Sequence, residues 1–175
     1  SSSPGSTLLS FLIMQLIHKP HPNPDLKFAK IELVIDRHKL AKRRWRGEAV
    51  DGMDFGFELD EPISHGTCFY QSMEKSYWIA QCPEQVLEAD YSNDRSEGLR
   101  VSWAIGNLHM SMQVDGVIIR VADDPAIRQL FAHLKVAYFE KMEVFQPLRV
   151  ATDIGRHSHS HGPGLDVHHQ SHHIH

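Results

Sequence analysis

The chain reads as an α+β protein: a small all-β N-terminal domain, then a ferredoxin-like β-α-β-β-α-β domain, then a disordered histidine-rich tail. Three observations predict this. Apolar and polar residues alternate strictly in segments before residue 83, the period of half-buried strands. Beyond it, apolar residues recur at three and four, the period of amphipathic helices. The closing stretch "GRHSHSHGPGLDVHHQSHHIH" (155–175) has no apolar period and cannot build a core. The expected divisions are 1–13, a linker or upstream scar with Met14 as a natural start; 14–83, the β domain; 84–150, the β-α-β-β-α-β domain; and 151–175, the tail. Of the 175 residues, 41% are hydrophobic and 23% charged, which is near the globular average, so the body is expected to fold.

The first hairpin is "RRWRGEAV-DG-MDFGFELD", where Asp51-Gly52 is the residue pair favoured in a two-residue type I′ turn. After it, Met53, Phe55, Phe57 and Leu59 alternate with Asp54, Gly56, Glu58 and Asp60, which gives one buried face. A further strand pair is expected in "GTCFYQSMEKSYWIAQC", turning around Met73–Ser76. If that turn centres near Lys75, Cys68 and Cys82 fall opposite each other as a disulfide or a thiolate pair. In a reducing cytoplasm two idle thiols are the expected state. Two cysteines are in any case too few for a secreted disulfide framework.

Pro83 marks the change of character. "QVLEADYS" reads as a strand, and Asp94 with Glu97 resembles a capping box that opens a helix. Val101, Ala104, Ile105 and Leu108 form its apolar stripe, Gly98 weakens its first turn, and Gly106-Asn107 suits its end. The hairpin "MSMQV-DG-VIIRVA" follows. A second helix starts at Asp123 or Asp124 with Pro125 in its first turn, burying Ile127, Leu130, Phe131 and Leu134 and leaving His133 outside. "AYFEKMEVFQPL" is the last strand. Both helices then lie on one face of the sheet.

Function classes narrow quickly. A formal net charge of −4 argues against a general nucleic-acid or acidic-membrane binder. The apolar run at 8–17 is too short to span a bilayer and lacks the basic start of a signal peptide, so a cytoplasmic location is expected. There is no glycine-rich phosphate loop, and no Ser-His-Asp, paired-carboxylate or Cys-His pattern, so no enzyme is expected. Lys39, Lys42, Arg43, Arg44 and Arg46 surround Trp45; a solvated strand face accounts for such a run without nucleic acid. His18, His21, His38 and His65 show no ligand spacing.

The histidine pattern is the strongest chemical signal. Eight of the 21 residues from 155 to 175 are histidine: His157, His159, His161, His168, His169, His172, His173 and His175. Their interrupted spacing differs from the single run of a purification tag, and imidazole is the commonest protein metal ligand. In the body the candidate is His109, directly after the first long helix.

Here a family resemblance enters. "GNLH" (106–109) after an amphipathic helix resembles the Gly-Asn-Arg-His segment of UreE, the family of urease accessory nickel chaperones. "DRHKLAKRRWR" followed by "DGMDFGFELDEPISHGTCF" resembles that family's N-terminal β domain, and "FQPL" leading into a histidine-rich end resembles its C-terminus. The resemblance covers roughly residues 14–175. It implies a homodimer in which two copies of His109 meet and, with tail histidines, hold Ni²⁺ for delivery to the urease apoprotein complex through the urease accessory GTPase. It also implies a protein-binding role for the N-terminal domain. Imidazole ligation admits Zn²⁺ or Cu²⁺ as well. Leu108 stands where the family has Arg, and "SMQVDGVIIRVADD" lacks the further histidines of some relatives. The alternative reading is an adaptor of the urease maturation complex whose tail stores or buffers metal.

Overall fold

In this computed structural model the structure describes residues 13–149, so the 1–12 segment and the expected tail with its eight histidines lie outside the described residues. The fold is α+β, with ten strands and three helices among those residues.

Two three-stranded sheets come first. In one, β1 (Gln15–Ile17) runs parallel to β4 (Asp54–Glu58), which pairs antiparallel with β3 (Arg44–Glu48). In the other, β2 (Ala29–Ile35) runs parallel to β6 (Lys75–Gln81), which pairs with β5 (Cys68–Ser72). The alternating inward residues of both sheets share one core. Phe55 and Phe57 are buried as their alternation predicts, and Gly56 is buried too. Phe55 meets Phe69 edge-on at 4.9 Å, while Trp45 stacks on Phe57 at 3.8 Å. Such aromatic pairs add about 1 kcal/mol each beyond their area. The parallel partners β1 and β2, and the one-turn helix α1 (Arg37–Leu40), extend the expected hairpins.

The turns depart from expectation in instructive ways. Asp51-Gly52 is not a two-residue loop: Ala49 donates to Met53 and Gly52 donates back to Ala49, with Gly52 left-handed at φ 86°, a three-residue loop with a glycine bulge. In the later hairpin Asp115 pairs with Ile118, so the loop is Gly116-Val117. Only Gly116 has positive φ, as in a type II′ turn. The middle hairpin turns at Met73-Glu74, both left-handed, and a bulge sets Cys68 opposite Trp78. Cys82 lies beyond the strand, and both cysteines are free. The opposed-cysteine geometry is therefore absent. The turn sits earlier than Lys75, and burial pushes the Cys68 thiol up from its ordinary value.

The second part of the chain runs β7 (Glu84–Asp90), α2 (Arg95–Asn107), β8 (Met112–Asp115), β9 (Ile118–Ala122), α3 (Pro125–Leu134) and β10 (Phe139–Glu143). The strands form an antiparallel sheet in the order β10-β7-β9-β8. Leu87, Ala89, Ile119 and Val121 face Val101 and Ile105 of α2 and Ile127 and Phe131 of α3, so both helices cover the same face. On the opposite face Glu88 is buried and bonded to Arg120 at 2.7 Å and Lys141 at 2.5 Å. Two contacts tie this sheet to the earlier ones. Arg37 grips Glu84 through two nitrogens at 2.8 and 3.0 Å, and the buried Gln81 amide donates to the Phe145 carbonyl.

Candidate functional site

The helix that presents His109 is specified at both ends. At its start the Asp94 carboxylate accepts from the Glu97 N–H at 3.0 Å. The reciprocal half of the box is missing, because Glu97 turns instead to Arg100 at 2.7 Å and the Asp94 N–H donates to Tyr91. Gly98 is there for space. A Cβ at this position would meet the Tyr91 ring at 2.9 Å, so glycine lets the helix lie against Tyr91. Val101 and Ile105 are fully buried. The same helix carries a second apolar face outward, with Leu99 74% and Trp103 70% exposed.

At its other end, Leu108 donates to Ile105 and His109 to Gly106, at 3.1 and 2.9 Å. The residue that turns left-handed to close the helix is His109 itself, at φ 54°, whereas Gly106 stays helical. Left-handed backbone disfavours any residue with a Cβ by roughly 1 kcal/mol, a cost a glycine there would avoid. The His109 side chain is exposed, and its ring makes no hydrogen bond among the described residues. Lys135 closes α3 in the same left-handed conformation, so it is the exposed, unbonded imidazole and not the backbone alone that sets His109 apart.

The chain after β10 returns to the same place. Phe145 is fully buried, the Gln146 N–H donates to the Gln113 side chain at 2.8 Å, and the Leu148 N–H donates to the Met112 carbonyl at 2.8 Å. The histidine-rich segment is thus rooted three residues along the chain from His109. Seven residues lie between Arg149 and His157, a span of at most about 29 Å when fully extended.

Two of the other body histidines engage their rings within the fold. His18 Nδ1 lies 3.3 Å from the Glu58 carbonyl, and His65 Nδ1 accepts from the Gln81 N–H at 3.0 Å. His21 donates its backbone N–H to Cys68, and His133 is exposed in the last turn of α3 as its spacing predicts. Among the described residues no three His, Cys, Asp or Glu side chains cluster to hold a metal ion. Within one chain, the described residues thus offer His109 as a donor without a cluster of three ligands around it. Lys39, Lys42, Arg43, Arg44 and Arg46 are all exposed, with no carboxylate partner among the described residues. The parallel strands β1 and β2 were missed in the sequence; the Ile31, Leu33, Ile35 alternation is the signal that marks β2. No helix among the described residues is long and apolar enough to cross a membrane.

Fold and site together define an α+β protein whose principal metal-donor candidate lies open at the surface at a helix end. A family model described as the UreE urease accessory protein, C-terminal domain, matches residues 84–175. The urease accessory protein UreE of Pseudomonas fluorescens (strain SBW25) is 32% identical over 136 residues, spanning 75% of this chain and 80% of its own length. That of Sinorhizobium fredii (strain NBRC 101917 / NGR234) is 33% identical over 154 residues, spanning 87% and 95%. The chain belongs to the UreE family of urease accessory proteins.

Proposed function

We propose that the protein is a nickel metallochaperone, an accessory protein and not an enzyme, that carries Ni²⁺ as cargo for assembly of the urease active site. The observation that carries this reading is the meeting of two features at one place: a strained, exposed His109 and the root of a histidine-rich tail at Leu148. Family membership supports a part in urease maturation. Two subunits meet through the outward apolar face of α2, Leu99 and Trp103 continuing to Leu108, which sets two His109 rings across a two-fold axis. Paired imidazoles pre-organise half a coordination sphere, and His157, His159, His161, His168, His169, His172, His173 and His175 supply the remainder. Tail ligands leave one at a time, which suits handover to the urease accessory GTPase and the urease apoprotein complex.

Imidazole sites take Zn²⁺ and bind Cu²⁺ more tightly than Ni²⁺, so selectivity rests on supply, geometry and the receiving partner. Because the neutral ring is the ligand, binding weakens as pH falls through the histidine range near about 6.5. Residues 84–150 form the ferredoxin-like metal-binding and dimerisation domain, residues 14–83 dock partners, and the protein works in the cytoplasm without nucleic acid or membrane.

Calorimetric titration of Ni²⁺ into the full chain and its His109→Ala variant, with mass in solution recorded, tests this. One tight site per dimer, lost in the variant above a background of weaker sites, is the expected result. Equal affinity and stoichiometry in both would overturn it. The second reading, an adaptor whose tail buffers metal, is favoured by the exposed cations from Lys39 to Arg46, which offer a docking face for an acidic partner. Metal-dependent handover to the GTPase separates the two readings.

A further inference from the structure

Where the first sheets meet the second, a cleft of about 400 Å³ opens between α1, the loop at Ser64 and His65, and the strap that follows β10. Small-ligand sites fall in this size range. The charged and titratable side chains that line it are Arg37, His65 and Arg149, and no carboxylate lines it. Arg37 spends Nε and Nη2 on Glu84, just outside the cleft, and keeps Nη1. Arg149 makes no ion pair among the described residues, nor do Lys42 and Arg43 beyond the rim at Ala41. His65 Nδ1 is held as an acceptor by the Gln81 N–H, so the neutral ring carries its proton on Nε2, as a donor. Ser64 and Ser111 add hydroxyls, while Leu40 and Phe145 supply apolar wall. Glu84 answers only Arg37, from outside the cleft, so the remaining donors and the positive charge of Arg149 make the lining the complement of an anion.

We infer that this cleft binds a small oxyanion, a carboxylate or a phosphate, bridging Arg149 to His65. Its occupant fastens the root of the histidine-rich tail to the earlier sheets, so the ligand adjusts where the tail departs. His109 does not line the cleft, and the site makes no use of metal.

The test is amide chemical-shift titration of the metal-free full chain by nuclear magnetic resonance. Inorganic phosphate and succinate are the two probes, with chloride as the control at matched ionic strength. Saturable shifts at His65, Gln81, Ser111 and Arg149 are expected with phosphate, succinate or both, and the probe that saturates identifies the source of the oxyanion. Arg149→Gln and His65→Gln are each expected to weaken that response roughly three- to five-fold, as fits exposed polar and charged contacts. Lys27→Gln, beside the far end of β6, leaves it unchanged. Shifts spread over the surface lysines and arginines, the same response in chloride, or no loss in Arg149→Gln would overturn the proposal.

Discussion

The backbone N–H of Leu148 donates to the carbonyl of Met112 at 2.8 Å, so the segment entering the tail is held against the strand that begins just after His109. This bond sets where the tail departs. Proline at 148 has no N–H, so Leu148→Pro is expected to cost about 1 kcal/mol, the usual net value of one backbone hydrogen bond. Leu148→Ala keeps the donor and loses only a side chain that is 60% exposed. Urea unfolding of the two variants compares them directly, and equal midpoints would mean the bond does not hold the strap.

His109 closes α2 in a conformation that glycine adopts without cost. His109→Gly is therefore expected to raise stability by up to about 1 kcal/mol, while His109→Ala, still carrying a Cβ, gains little. Both variants lose the imidazole. Thermal unfolding of the metal-free proteins reads the difference. A glycine variant less stable than the alanine one would show that the His109 ring contributes packing the structure does not display.

The two glycines of α2 make a matched pair. Gly106 has open space around its Cβ position, and Gly98 lies 2.9 Å from Tyr91 atoms by the same measure. Gly106→Ala is expected to stabilise by roughly 0.5–1 kcal/mol through helix propensity alone. Gly98→Ala gains the same propensity but must push Tyr91 aside, and overpacking of this kind costs about 1–3 kcal/mol. Opposite signs in denaturant midpoints are the expected outcome. A stabilised Gly98→Ala would mean Tyr91 yields freely.

How much of this was legible follows from which signals are local. The strand containing Phe55 and Phe57, and the helices spaced by Val101 and Ile105 and by Ile127 and Phe131, announce themselves because burial imprints a period on neighbouring residues. Asp94 caps its helix as read, and of the two starts the sequence allows for α3 it is Asp124 that caps, since capping needs only residues two or three positions away. The parallel pairing of β2 with β6 joins residues far apart in sequence, with no turn between them to advertise it. The turn at Met73-Glu74 uses left-handed residues without glycine or asparagine, so its centre was invisible and Cys68 was matched to the wrong position. At the site, "GNLH" pointed to His109, and its place at the helix end follows from local sequence. That it is His109, not Gly106 or Asn107, that turns left-handed is decided by how the last turn closes on Ile105 and Gly106.

Glu88 sits buried on the back of the second sheet. The Lys141 ammonium, and then the Arg120 guanidinium, hold its carboxyl below the ordinary value of 4.5 against the opposing effect of burial. A carboxylate with a depressed folded pKa stabilises fully above its unfolded value, and that contribution disappears as pH falls through the lowered folded one. Glu88→Gln is thus expected to cost about 2 kcal/mol near neutrality, within the range for hydrogen bonds to charged groups. The gap to the parent should narrow as pH falls from the ordinary carboxylate value of 4.5 through the lowered folded one, where the parent's own carboxylate protonates. Unfolding followed by circular dichroism across that range checks it; a gap that stays constant would place the effect in shape and not in charge.

Trp103 and Leu99 lie on the outward face of α2, exposed beside a groove of about 460 Å³ lined by Tyr91, Val114 and Val117. Under the proposed dimer these side chains are what a second subunit covers, and a charge placed there meets its own copy across the two-fold axis. Trp103→Glu is therefore expected to shift the protein to monomer while leaving each subunit folded, because the Trp103 side chain contributes little to the core of its own chain. The nickel titration should change with it. The tight site built from two copies of His109 disappears, and the weaker tail sites persist at one set per chain. Light scattering and calorimetry on the same sample connect the two effects. A variant that stays dimeric would move the interface away from α2, and a monomer that keeps the tight site would show that one subunit assembles it alone.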